Sequence, residues 1–163
     1  MDAHTHQNPP DLDDHTGFDV ASHARTYGII LGVAISAYLL AVNLIYPEDL
    51  PLSLRFAKYL LIIPVVWYAA NDYANNLPKG KVFKAEIGYL MRLAFFAAST
   101  VVVLNILMFT ITGSSFDQFM QTGGTFAGTM INCGFLFFEM VVITMAVSFV
   151  FLQAYKTGGS PED

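Results

Sequence analysis

One carboxyl stands near the middle of a run that is otherwise apolar: Glu139, within Thr125 to Gln153. A charged side chain at mid-depth of a bilayer costs about 2.5–3.5 kcal/mol on insertion scales, so it is expected to face partners inside the protein. Thr125, Asn132, Glu139, Ala146 and Gln153 recur every seven residues and so share one helical face. Counting about 1.5 Å per residue from the same end of each apolar run, Asn43, Asn105 and Glu139 fall in one layer. Ser36 lies somewhat below that layer and Asn132 above it. The spacing predicts an intramembrane polar network of Glu139, Asn105, Asn43, Asn132 and Ser36, in which amides satisfy the acid without a counter-charge. Such a network fixes helix register or meets another subunit. The sharper chemistry is that of a proton- or cation-handling carboxylate. A transport path normally needs more than one ionisable site along its length, and these runs hold one central acid.

A second pair of charges falls near one end of the apolar runs. Asp72 closes the second run and Arg92 lies about two turns into the third. A short loop joins these runs, so the helices are expected to be antiparallel neighbours and Asp72 to pair with Arg92, which spares both from isolated burial. The alternative is that Arg92 joins Lys81 and Lys84 in contacting lipid headgroup phosphate. All four histidines, His4, His6, His15 and His23, lie in or beside the N-terminal tail with Asp11, Asp13 and Asp14. Their spacing matches no closed zinc site. With no histidine expected inside a span, a bis-histidine haem or a histidine-based metal centre in the membrane is disfavoured. There is no CxxC, HExxH, phosphate-binding glycine loop or GxSxG, and no histidine accompanies Ser114, Ser115 and Asp117. A non-catalytic chain is expected, with no cofactor and no metal.

The elements that must position these residues are membrane helices. Of 163 residues, 55% are hydrophobic and only 13% charged, against about 25% charged in ordinary soluble domains. The charges cluster between the apolar runs. Length permits one bundle and no second domain. The single cysteine, Cys133, cannot form an intrachain disulfide, and no basic cluster suggests nucleic acid. The reading is an all-α, four-transmembrane-helix bundle over residues 23–156, with spans at about 25–46, 54–74, 86–112 and 124–155. Flexible tails are expected at 1–22, which is acidic, and at 157–163. The first run follows more than 20 polar residues and reads as a retained anchor rather than a signal peptide. Pro64 should kink the second span. Small residues form close-packing seams: Gly28 and Gly32 on the first span, Ala94 and Ala98 on the third, Gly124 and Gly128 on the fourth. Arg25, Lys79, Lys81, Lys84, Lys156 and Arg92 lie on the side that holds both termini, against Arg55 and Lys58 on the other, which fall in the first turn of the second span and can snorkel to the interface. That bias predicts both termini in the cytoplasm.

Three stretches carry a family resemblance: YGIILG opening the first span, LRFAKYLLIIPVVWYAANDYAN as the second, and KVFKAEIGY opening the third. Over about residues 25–156 the chain resembles the small four-span bacterial membrane proteins grouped as the DUF4199 family, common in Bacteroidota. The resemblance implies a multi-pass protein of the bacterial inner membrane. That family has no established biochemical activity, so no residue inherits a catalytic role, and Glu139 and the histidine-containing tail fall outside its pattern. Two functional classes follow. One is an accessory or scaffold subunit packed against other membrane helices or copies of itself. The other is a small oligomeric proton or cation channel or transporter using Glu139. The exposure of Glu139 separates them, with contact to a partner helix favouring the first and a water-facing acid at a symmetry axis the second.

Overall fold

The structure, a computed structural model, describes residues 19–46, 51–76, 83–113 and 125–158. Every regular element among them is helical: α1 (Val20–Ile45), α2 (Leu52–Ala57), a 3-10 turn (Lys58–Leu61), α3 (Ile62–Asn76), α4 (Phe83–Thr112) and α5 (Phe126–Gly158). Three of them hold stretches long and apolar enough to cross a membrane: Val20–Ile45, Glu86–Ile111 and Phe126–Phe151. This is the architecture of a multi-pass membrane protein.

Local chemistry sets the ends. Asp19 caps α1, its carboxylate accepting from the amides of Ala21 and Ser22 at 2.9 and 3.1 Å. Helix α1 therefore starts several residues before Arg25, and His23 belongs to its first turn rather than to the tail. Thr125 caps α5 through its hydroxyl and the Gly128 amide. Gly113 ends α4 with φ of 73°, a conformation that favours glycine, and its amide returns to the Phe109 carbonyl. The second apolar run is not one continuous α-helix. Pro64 has no N–H for the Leu60 carbonyl, and its ring crowds that turn. The chain tightens to 3-10 geometry over Lys58–Leu61, immediately before the proline. At the start of this break the Leu54 carbonyl accepts from the Tyr38 hydroxyl of α1 at 2.8 Å.

The helices form a ring in the order α1, α4, α5, α3. The tightest pair is α1 with α4, which run parallel. A Cβ on Gly28 would lie 2.7 Å from the Leu93 carbonyl oxygen and from Phe96 Cβ. One on Gly32 would lie 2.5 Å from Thr100 Cβ and 2.8 Å from the Ala97 carbonyl oxygen. Glycine is required at both positions because the backbones approach this closely. Ala94 and Ala98 are buried in the same core, with Leu31, Ile35, Leu93 and Val101. Helices α3 and α4, expected to be neighbours, lie across the ring from each other. Large tyrosines span the gap: Tyr73 stacks on Tyr89 with ring centroids 4.2 Å apart. The outer surface is apolar on every side, with Ile29 and Val33 on α1, Trp67 on α3, Leu107 on α4 and Phe138 on α5 exposed.

Candidate functional site

Helix packing places two polar clusters inside this apolar frame. The first is an ion pair at mid-depth. Lys58 is the first residue of the 3-10 turn, and it falls in phase with the buried residues Ile62, Val66, Ala69 and Tyr73 at intervals of three and four. Its side chain is 2% exposed, and its Nζ lies 3.3 Å from Glu139 Oε1 and 3.4 Å from Oε2. The Tyr59 ring lies 5.4 Å from the same ammonium. Glu139 stands at the centre of the apolar stretch of α5 and keeps 22% side-chain exposure.

This corrects two expectations. Glu139 has a counter-charge, and Lys58 turns into the bundle rather than out to the interface. The break before Pro64 and the closeness of α3 to α5 bring them together. Register along α5 then separates the expected network. Asn105 is fully buried and donates to Cys133 Sγ at 3.5 Å, which sets the antiparallel register of α4 and α5. On that register Glu139 lies level with about residue 99 of α4, more than a turn from Asn105. Asn43 lies level with about residue 110 on the Gly28 and Gly32 register, roughly 15 Å further along the axis than Glu139. Asn43 is half-buried, Ser36 and Asn132 are buried, and none of the three bonds Glu139.

The second cluster lies where α1 begins. His23 Nε2 is 2.8 Å from Asp72 Oδ2, and Tyr27 donates its hydroxyl to the same oxygen at 3.1 Å. Asn76 donates to Asp72 Oδ1 at 3.2 Å. On its other side, His23 Nδ1 lies 2.9 Å from the Tyr89 hydroxyl, which is also 3.3 Å from the Ala69 carbonyl oxygen. Nε2 facing a carboxylate carries its proton. Two proton arrangements then fit. In one, a neutral ring accepts from Tyr89. In the other, an imidazolium donates to Tyr89, which donates on to Ala69.

The expected Asp72–Arg92 pair is replaced by this arrangement. With α3 and α4 across the ring, α4 presents Tyr89 to His23, which in turn meets Asp72, while Arg92 is exposed on the α1 side beside Arg25. His23 also corrects the expectation that no span holds a histidine, since it lies within the apolar stretch of α1.

Several buried polar groups find no partner among the described residues. Thr26, Thr100, Thr110 and Thr129 each donate to the carbonyl four residues back, the usual resolution in a helix. Ser36, Thr144 and Ser148 are buried, and their hydroxyl oxygens make no hydrogen bond with any described residue; Asn132 Oδ1 is in the same state. Such a group costs about 1–3 kcal/mol. On the Asn105–Cys133 register, Thr144 and Ser148 lie at heights between Glu139 and Tyr89.

Of the remaining sequence-derived residues, Gly28, Gly32, Ala94 and Ala98 are consumed in packing within the chain, and Gly128 is buried near the start of α5. Lys81 and Gly124 lie outside the described residues, as do His4, His6 and His15, and Lys84 is placed only by its backbone. Among the described residues no three of His, Cys, Asp or Glu cluster closely enough to hold a metal. No family model, no curated protein and no solved structure matches the chain.

Proposed function

We propose that this chain is a non-catalytic, multi-pass subunit of a bacterial inner-membrane assembly, which packs against other membrane helices or copies of itself. The observation that carries this reading is the partial exposure of Glu139 at mid-depth on an otherwise apolar outer surface. An ion pair left against lipid at that depth is unfavourable, and a neighbouring helix that covers it removes the penalty. The segment Leu52–Asn76 serves as a fourth crossing. Its outer face is as apolar as that of the other helices, with Leu60, Ile63 and Trp67 exposed. It does not form one long helix because Pro64 interrupts it. The ends carrying Arg25 and Lys156 face the cytoplasm, as the lysine and arginine bias favours. Membership of the DUF4199 family is part of the same proposal.

The test is native mass spectrometry of the protein in lipid nanodiscs and in mild detergent. An assembly larger than the single 18.0 kDa chain is expected. A monomer under all conditions overturns the subunit reading. Depth-resolved quenching of Trp67, the single tryptophan, by brominated lipids examines the fourth crossing. Trp67 lies nine residues past Lys58, so quenching should peak roughly 13 Å from the bilayer centre. Quenching only by headgroup-level or aqueous agents rules the crossing out.

A second reading is favoured by the unpartnered hydroxyls of Thr144 and Ser148. They extend from the Glu139 level towards the His23–Asp72 cluster, as a proton-conducting interior would require. Proton flux in liposomes that is lost in Glu139→Gln, with assembly unchanged, would favour it over the subunit reading.

A further inference from the structure

The groove between the start of α1 and the second and third turns of α4 has features that neither polar cluster explains. It encloses about 540 Å³ and is lined by Arg25 of α1 and by Met91, Arg92, Phe95 and Phe96 of α4. The Gly28 and Gly32 register places Arg25 and Arg92 at the same height on two parallel helices. Both side chains are exposed, and neither makes a hydrogen bond or ion pair with any described residue. Asp19 also borders the groove, its Oδ1 accepting from the Ala21 and Ser22 amides, and contributes one negative charge there. Among the described residues the groove therefore presents two guanidinium groups against a single carboxylate, Asp19.

Depth gives the groove its direction. Arg92 lies six residues inside the apolar stretch that begins at Glu86, roughly 9 Å along the helix. From there a guanidinium snorkels to phosphate level. One turn deeper, Phe95 and Phe96 continue the wall towards the bundle centre, with Phe95 exposed. Cationic groups at the rim with aromatic side chains below match a molecule that is anionic at one end and apolar along its length.

We infer that this groove binds one anionic phospholipid, its phosphate held between Arg25 and Arg92 and an acyl chain lying along Phe95 and Phe96. Guanidinium forks suit phosphate oxygens, and two of them at one height fix the headgroup laterally. The inference rests on the membrane reading above. It differs from generic attraction to a charged surface in requiring both arginines and the aromatic wall.

The experiment is native mass spectrometry of delipidated protein in mild detergent with phosphatidylglycerol or phosphatidylcholine added. Wild type and Arg25→Gln/Arg92→Gln are compared, with circular dichroism to verify that the variant is folded. Wild type should retain phosphatidylglycerol about tenfold better than phosphatidylcholine, and the double variant should lose most of that preference. Phe95→Ala, which keeps both charges, should weaken retention of both lipids. Equal phosphatidylglycerol retention by wild type and the folded double variant overturns the inference. So does displacement of the lipid by an equal concentration of glycerol phosphate, which would mark a site for free phosphate. Failure of the chain to fractionate with membranes would defeat the membrane reading itself. A membrane-embedded chain without lipid preference would defeat only this inference.

Discussion

Lys58 and Glu139 meet at mid-depth, whereas His23 and Asp72 meet near the end at which α1 begins. The mid-depth contacts are long, at 3.3 and 3.4 Å, and involve one ammonium and one carboxylate. The end contacts are shorter, at 2.8 and 3.1 Å, and one carboxylate is shared among a histidine, a tyrosine and an amide. In the apolar middle few polar groups are available, so the Glu139 carboxylate depends on the Lys58 ammonium for its counter-charge. Near the end, aromatic residues with polar tips supply several modest bonds and leave Asp72 partly open. The contrast predicts strong pairwise coupling at one site and distributed, replaceable bonding at the other.

The largest expected effect tests the first half of that contrast. Glu139→Leu takes the Glu139 counter-charge from the buried Lys58 ammonium, and Lys58→Met takes the counter-charge from the Glu139 carboxylate. Each should lower stability in detergent by about 3–5 kcal/mol, while the double variant Lys58→Met/Glu139→Leu should recover most of the loss. Thermal unfolding followed by circular dichroism across this double-mutant cycle measures the coupling. Additive single effects would mean that the pair is not coupled and that the contrast fails.

Asp72→Ala should cost less, about 1–3 kcal/mol, because His23 and Tyr27 lose an acceptor but sit close enough to the end for water to replace it. Asp72→Asn should recover part of this in the same melts. A loss as large as that of Glu139→Leu would erase the distinction between the sites. Gly32→Val sharpens it from another direction. The added side chain must push α1 from α4, at about 1–3 kcal/mol, and so should disturb the His23–Tyr89 contact while sparing the α5 contact of Lys58. Near-ultraviolet circular dichroism should lose tyrosine signal, and the Lys58–Glu139 coupling energy should persist. If that coupling collapses as well, the two regions are not independent.

The smallest effects come last. Tyr89→Phe removes the hydroxyl shared by His23 and the Ala69 carbonyl but keeps the stack on Tyr73, and should cost about 1 kcal/mol in thermal melts. Gly134→Ala is the matched control, because nothing lies within 4 Å of an added Cβ. It should be neutral or stabilising by about 0.5–1 kcal/mol through helix propensity, and a marked loss of stability would show that the outer face of α5 is packed against something.

Much of the frame was legible in the residues. The apolar runs located the helices to within a few positions, and Pro64 marked the break in the second. Gly28 and Gly32 announced a close approach of two backbones, though not that it would be made within the chain. The site was less legible. The seven-residue series through Asn132, Glu139 and Ala146 looked like one face. An α-helix drifts about 20° per seven residues, and in the structure these positions run from buried through half-buried to exposed. The buried stripe of α5 instead follows intervals of three and four through Thr129, Cys133, Leu136, Met140, Thr144 and Ser148. Lys58 carried a readable signal, its phase with Ile62, Val66, Ala69 and Tyr73, but its place near the end of an apolar run suggested the interface. His23 carried a weaker one, four residues before Tyr27.

The sequence by itself determined that the chain is helical, where its apolar stretches lie and which residues are small enough for close packing. Those properties follow from composition and periodicity along one strand of chain. Which charges meet was decided only by the tertiary structure. Partners depend on which helices are neighbours and at what register, and both came from the fit of α1 against α4. That fit set α3 across from α4 and beside α5, exchanging the expected Asp72–Arg92 pair for His23–Asp72 and giving Glu139 the counter-charge of Lys58.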